Sequence, residues 1–358
     1  MRKSRPIRNR LIIFNLETNL DSNVLAVAHD WVEAFSTEFS FIDVYSTHVG
    51  TLDLPKNVAV HELGGGSLVR RARNIFGLCR ALSTIFTYRR NSVVLHHMSS
   101  RTLAILGLPL RLLLVPQGIW YSHSHLDSAF KFGRFFTNYV FTSIESSIPY
   151  STSKIRYVGH GIKVHSQKGS SVSDERRKGL VSLGRIARIK KLESILNSLA
   201  QSNIIDLPVT FIGPIHDVKY KEELAEFAEK NGIKLTFTGP LHHNEILAQL
   251  EKFEYLYTGT PGSVDKATLE GAISGCFIIT TNSDAIKLSG MNAIWREINI
   301  NPNSNLYVQI KNLQELEGST RSHLRRLLSD ECAKNNDIAN TVKKIARVLS
   351  PELSPRMP

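Results

Sequence analysis

The chain has 358 residues, of which 42% are apolar and 21% charged, and a formal net charge of +12; this is enough length for two ordinary domains, and the composition is not that of a disordered chain. Its three cysteines (Cys79, Cys276, Cys332) stand far apart and form neither a metal-spaced cluster nor a disulfide framework, so a reducing, cytoplasmic setting is expected. The apolar run after the basic start "MRKSRPIRNR" is too short for a signal peptide, and "LAILGLPLRLLLV" is interrupted by Pro109 and Arg111, so neither a secreted nor a membrane-spanning protein is expected.

In chain order, the first half offers strand candidates at "LIIF" (11–14), "SFIDVY" (40–45), "VAVHEL" (58–63), "SVVLHHM" (92–98), "LRLLLV" (110–115), "YVFTS" (139–143) and "IRYVG" (155–159). Between the third and fourth lies 67–90, which reads at helical period. Leu68, Ile75, Leu78, Leu82 and Phe86 make one apolar side, flanked by Arg70, Arg71, Arg73, Arg80, Arg89 and Arg90. Residues 1–165 hold 19 Lys/Arg against 10 Asp/Glu. Such a helix either lies on an anionic membrane or packs on a sheet with a solvated basic face. No binding motif or aromatic-interleaved basic strand supports nucleic acid as a partner.

The stretch 166–178 is polar, Ser-rich and charged, and reads as a linker. Strand candidates then resume at "LVSLG" (180–184), "PVTFIG" (208–213), "LTFTG" (235–239), "YLYTGT" (255–260) and "FIITT" (277–281), and 324–350 reads as helical. Continuous apolar strands alternating with helices imply parallel sheets covered on both faces. The expected architecture is α/β: two Rossmann-like, doubly wound domains facing across a cleft, over 1–165 and 179–335. Ligands in such sheets bind beyond the carboxyl ends of the strands.

No G-x-G-x-x-G follows the first strand, and P-loop, H-E-x-x-H, G-x-S-x-G and D-x-D motifs are absent, which argues against hydride transfer and against a metal held by a carboxylate pair. "LVSLGRIARIKKLES" runs strand, Gly184, then Arg185 and Lys190 before a helix. Such a junction holds a diphosphate through backbone N–H groups and two cations, or else is a solvated basic turn. In "GSVDKATLEGAISGCFIITTN" (262–282), Glu270 sits among small residues before a buried strand. Its two oxygens suit the 2′ and 3′ hydroxyls of a ribose; the alternative is a surface-facing helical Glu.

These residues resemble the bacterial glycosyltransferases of family 4, retaining enzymes of the GT-B fold, over about 10–350. Gly184, Arg185 and Lys190 match the family's G-R-x-x-x-x-K element. Glu270 matches the second Glu of its E-x7-E motif; the first would be Gly262, and "GSVDKATLEGA" is instead similar to a pattern of a surface-polysaccharide subgroup. "FNLETNLDSNVLAVAHDW" (14–31), "IWYSHSH" (119–125) and "YVGHGI" (157–162) resemble further segments of that subgroup, with Lys163 in place of an Asp.

The resemblance implies that Arg185, Lys190 and His123 are catalytic, and that Gly184, Glu270, Asp265, Lys266, Leu241, Asn15 and His160 bind the donor nucleotide or sugar. From the residues alone, His123 and His125 also read as metal ligands or loop histidines, and His160 as a hinge residue or a contact. The weakest histidine reading is His96–His97. No cofactor or metal is expected. The partners implied are a nucleotide sugar, a glycan or lipid-linked acceptor, and an anionic membrane surface through 67–90 on the cytoplasmic side. The last segment, 336–358, is expected to cross back onto the first domain. The alternative reading is a catalytically silent GT-B-like binding protein in an assembly complex.

Overall fold

The computed structural model describes residues 8–22, 25–63, 68–123, 125–164, 176–202, 204, 206–242, 245–261 and 264–353, with the backbone alone over 68–74. The chain divides into two compact units, Met1–Lys163 with Asp337–Pro358, and Val164–Asn336.

Unit 1 contains β1 (Arg10–Thr18), α1 (Val27–Phe35), β2 (Phe41–Val49), β3 (Val58–Glu62), α2 (Leu68–Tyr88), β4 (Ser92–His97), α3 (Ser100–Leu112), β5 (Gln117–Trp120), α4 (Ser128–Gly133), β6 (Tyr139–Thr142) and β7 (Ile155–Tyr157). The strands form one parallel sheet ordered β3-β2-β1-β4-β5-β6-β7. Alternation along each strand feeds two cores. Leu11, Ile13, Val93 and Leu95 pack under α1 on one face, while Ile12, Phe14, Val94 and Ile119 pack under α2, α3 and α4 on the other. Both faces are covered, which is why these strands read as unbroken apolar runs.

Unit 2 contains β8 (Leu180–Leu183), α5 (Leu192–Gln201), β9 (Val209–Ile212), α6 (Val218–Lys230), β10 (Leu235–Gly239), α7 (Ile246–Leu250), β11 (Tyr255–Tyr257), α8 (Lys266–Ile273), β12 (Phe277–Ile279), α9 (Ser283–Ser289), α10 (Met291–Glu297), α11 (Leu306–Gln314) and α12 (Gly318–Asn336). Its five parallel strands run in the order β10-β9-β8-β11-β12. The helical stretch expected over 324–350 breaks at Asp337, where α12 ends; α13 (Ile338–Leu349) packs on α1 and sends Val342, Ile345 and Leu349 into the unit 1 core.

Three expectations are corrected. "LRLLLV" is not a strand: α3 runs through Pro109 to Leu112, because Leu103, Leu106 and Leu110 face the core at helical spacing while Leu112 and Leu114 point outward. The strand there is β5, whose "QGIW" carries no apolar run to announce it; Gly118 lets the Phe141 ring close onto it. In α2 the buried stripe is rotated from the expected one. Ala81 and Ile85 are buried with Leu78 and Leu82 against them, whereas Ile75 and Phe86 are exposed; the side chains of Leu68, Arg70, Arg71 and Arg73 lie outside the described residues. Finally, Arg177, placed in the linker by sequence, is buried and donates to the carbonyls of Phe253 and Ser274, so the body of unit 2 begins before 179.

Candidate functional site

Each sheet has one point where strand order reverses, between β8 and β11 in unit 2 and between β1 and β4 in unit 1. The carboxyl ends there splay their connections apart and leave a crevice. Residues singled out by sequence gather at both.

In unit 2, Gly184 follows β8 and Gly213 follows β9, both at positive φ, +136° and +147°. A Cβ on Gly213 would stand 2.0 Å from the Gly184 carbonyl oxygen, so the two strand ends approach as only glycine allows. Beyond Gly184 the chain makes a single 3₁₀ turn (Arg188–Lys190), and α5 begins only at Leu192. This turn is tied to β11: the Tyr257 hydroxyl donates to the Lys191 carbonyl at 2.8 Å, and a Cβ on Gly259 would meet the Lys190 carbonyl at 2.7 Å.

Three of the four cations in this stretch, Arg185, Arg188 and Lys190, have different surroundings. Arg188 turns away to Glu223 at 2.8 Å. Arg185 is exposed and has no ion pair among the described residues. Lys190 lies over Gly184, and its Nζ donates to Asp265 Oδ2 at 2.6 Å. Asp265 is the N-cap of α8 but does not cap it with its side chain; it also accepts from the Thr260 hydroxyl at 2.6 Å. A carboxylate that forgoes the first-turn N–H groups it is suited to accept is held for another purpose.

Inside α8, Lys266 Nζ stands 3.0 Å from Glu270 Oε1, an i,i+4 pair. Glu270 is 8% exposed, so it is not the surface-facing Glu of the alternative reading. Four residues picked from sequence thus form two ion pairs, Lys190–Asp265 and Lys266–Glu270. Leu241 lies in the connection after β10, two residues past Gly239. Gly262 is outside the described residues.

In unit 1, Asn15 ends up buried within β1, its Oδ1 3.0 Å from His97 Nδ1 and its Nδ2 3.1 Å from Thr18. His97 closes β4 and is ringed by Trp31 and Trp120 at centroid distances of 4.7 and 5.6 Å. Burial pushes its pKa down to about 4, so it is neutral. Asn15 accepts from Nδ1–H, leaving Nε2 as an acceptor. His160 packs edge-on against Trp120 at 5.9 Å, and the Gly161 carbonyl accepts from Trp31 Nε1 at 3.0 Å. His123 is exposed beyond β5; its Nδ1 accepts from the His125 N–H at 3.0 Å, which leaves Nε2 as the ring's donor.

His29, Asp30 and Glu33 bring potential metal-ligand atoms within 4.8 Å of one another. Lys163 already meets that charge, at 2.9 Å from Glu33 and 3.6 Å from Asp30. Burial opposes its charge, but the two carboxylates outweigh this and raise its pKa. Lys163 thus anchors its segment to α1.

Sequence reasoning missed Gly213, Tyr257, Gly259 and Thr260. A signal was present: every strand run from "LVSLG" to "YLYTGT" carries a glycine at or just past its end. His97 had no local signal, because its partner Asn15 lies 82 residues away.

No family model matches the chain, and no curated protein sequence does. Solved structures do. HepE from Anabaena in complex with UDP superposes with a TM-score of 0.69 at 12% identity, covering 96% of this chain and 100% of that one. A glycosyltransferase from Rickettsia africae gives 0.66 at 11%, covering 98% and 100%. WaaG, a glycosyltransferase involved in lipopolysaccharide biosynthesis, gives 0.58 at 12%, covering 95% and 99%. With its two parallel Rossmann-like sheets, the chain has the GT-B fold.

Proposed function

We propose that the protein is a retaining glycosyltransferase that moves a sugar from a nucleotide donor to a hydroxyl of a glycan or lipid-linked acceptor, in the making of a bacterial surface polysaccharide. The observation that carries this reading is the gathering of Gly184, Lys190, Asp265 and Glu270 at the carboxyl ends of β8 and β11, where an open α/β sheet receives its ligand. HepE, of the same fold, is described with UDP-glucose, and WaaG in lipopolysaccharide biosynthesis, which supports a nucleotide sugar as donor.

In this reading Arg185 and Lys190 neutralise the departing diphosphate, a role that raises rate because charge builds there in the transition state. The cations do this without a metal, in keeping with the absence of D-x-D. Glu270 keeps one oxygen on Lys266 and offers the other to ribose hydroxyls. His123 donates Nε2–H to the donor sugar. Retention follows the resemblance to family 4 and proceeds by front-side attack. The protein works at the inner face of the cytoplasmic membrane, with the basic stretch 67–90 toward anionic lipid; among the described residues no helix is long and apolar enough to cross a membrane.

The test is a panel of nucleoside diphosphates and nucleotide sugars. One of them is expected to raise Tm and to be hydrolysed slowly without acceptor, releasing first the α-anomer from an α-linked donor as followed by NMR. Release of the β-anomer overturns retention. Tight binding of a nucleotide sugar with no turnover of any donor makes the protein a binding partner instead, and stabilisation by none overturns the site.

A further inference from the structure

The positive charge of unit 1 is more concentrated than its total suggests: residues 63–160 hold twelve Lys/Arg against only Asp127 and Glu145. Asp127 is spent within the fold, accepting from the Phe130 N–H as the N-cap of α4 and from the Ser100 hydroxyl. All of α2, α3 and α4 cover the same face of the sheet.

On α3, Leu103, Leu106 and Leu110 face inward, while Arg101, Ile105, Leu108 and Leu112 fall at i, i+4, i+7 and i+11 along the opposite line, and all four are exposed. Leu112 is 74% exposed and Leu114, just past the helix, 81%. Beside this ridge lies α4, close enough that a Cβ on Gly107 would meet Phe136 and one on Gly133 would meet Leu103. It adds Phe132, and the turn just past it adds Phe135, which is 68% exposed. Cations surround these side chains. Arg134 stacks over Phe135; Lys154 donates to the carbonyls of Arg134 and Phe135; Arg111 and Lys131 are exposed. Burial, and then the charge of Arg111, lowers the pKa of Lys154. None of these cations meets a carboxylate among the described residues.

Scattered apolar side chains at a surface are ordinary, but neighbouring ones on one helix line, rimmed by charge, mark an interaction site. A groove for a protein partner is concave and paired in charge, whereas here apolar side chains stand exposed along one line of a helix among cations of one sign. That combination fits an interface of acyl chains beneath phosphates.

We propose that the outer face of α3 and α4 docks on an anionic lipid bilayer, with Leu112, Leu114 and Phe135 entering the headgroup layer and Arg101, Arg111 and Lys131 contacting lipid phosphates. This deepens the membrane part of the proposed function by adding the outer face of α3 and α4 to the contact of 67–90. It does not depend on sugar transfer.

The test is co-sedimentation of the full chain with vesicles of phosphatidylglycerol and phosphatidylcholine, against phosphatidylcholine alone. The wild type is expected to bind the anionic vesicles at low salt and to retain a fraction at high salt, because apolar insertion is not screened while charge is. Leu112→Gln with Leu114→Asn is expected to lower the partition coefficient about tenfold and to abolish the salt-resistant fraction. Both sites are exposed, and Asn suits the positive φ of Leu114, +57°, so Tm and nucleotide stabilisation are expected to stay as in the wild type. A Leu112→Trp reporter is expected to shift its emission to the blue on anionic vesicles only. Binding unchanged in the double variant but lost in Arg89→Gln/Arg90→Gln overturns the assignment in favour of α2. A concentration-dependent dimer dispersed by Leu112→Gln, without vesicle binding, overturns it in favour of a second copy. Failure of nucleotide binding leaves these readouts untouched, so the two proposals fail separately.

Discussion

Replacing Asp265 by Asn tests whether Lys190 rests on a counter-ion that a diphosphate displaces. Nζ and Oδ2 are 2.6 Å apart, with side-chain exposures of 13% and 26%. At an effective dielectric of about 20, unit charges at that distance attract by about 6 kcal/mol. Desolvation of both groups returns most of this, so removing the negative partner is expected to cost a net of about 1–3 kcal/mol. Asn keeps the shape and can still accept from Lys190 or Thr260, which puts the loss near the lower end. For a unit the size of Val164–Asn336, each kcal/mol moves Tm by roughly 2–4 °C. Binding should move the other way. With no carboxylate to leave, Lys190 is free for the ligand, and calorimetry with uridine diphosphate is expected to show equal or tighter binding, by up to about tenfold or 1.4 kcal/mol. Lys190→Ala is expected to weaken it by about 1–3 kcal/mol, and the double variant to match Lys190→Ala. If Asp265→Asn loses the nucleotide as completely as Lys190→Ala does, with Tm unchanged, Asp265 touches the ligand itself and the counter-ion argument is wrong.

Glu270→Gln is expected to weaken nucleotide binding by about 1–3 kcal/mol while costing only about 1 kcal/mol of stability, because Gln still accepts from Lys266 in the largely buried pair; unchanged binding with a drop of several kcal/mol would make Glu270 a structural residue. Gly213→Ala forces a Cβ to 2.0 Å from the Gly184 carbonyl oxygen and is expected to cost about 2–4 kcal/mol in urea unfolding and to disorder the Lys190 turn; an unchanged midpoint refutes the close approach. His96 and His97 are pushed by burial down to about 3 and about 4, so the unfolded chain binds more protons than the native one below its ordinary histidine pKa. Stability is therefore full above about pH 6.5 and falls as pH drops toward 4, by about 1.4 kcal/mol per pH unit for each histidine. Urea midpoints from pH 7.5 to 4.5 check this, and a His96→Gln/His97→Gln variant with an equally steep decline would locate the effect elsewhere.

The buried strands were legible in sequence because a parallel sheet covered on both faces demands unbroken apolar runs, and "LIIF", "SVVLHHM" and "FIITT" supply them. Where a strand is short and built around a glycine, as in "QGIW", no such run exists, and the neighbouring "LRLLLV" took its place; only the pairing of Gly118 with Leu95 and Tyr139 makes it a strand. The chemical types at the site were also legible. Lys266 and Glu270 lie one turn apart, so their pairing follows from helical spacing. Lys190 and Asp265 lie 75 residues apart, and Asn15 and His97 lie 82 apart. Their meeting is decided by strand order, which puts β8 beside β11 and β1 beside β4 and which no local pattern encodes. The outward ridge on α3 was hidden for the same reason. A leucine-rich helix presents apolar residues on more than one side, and only packing against the sheet determines which of them, Leu110 or Leu112, remains in water.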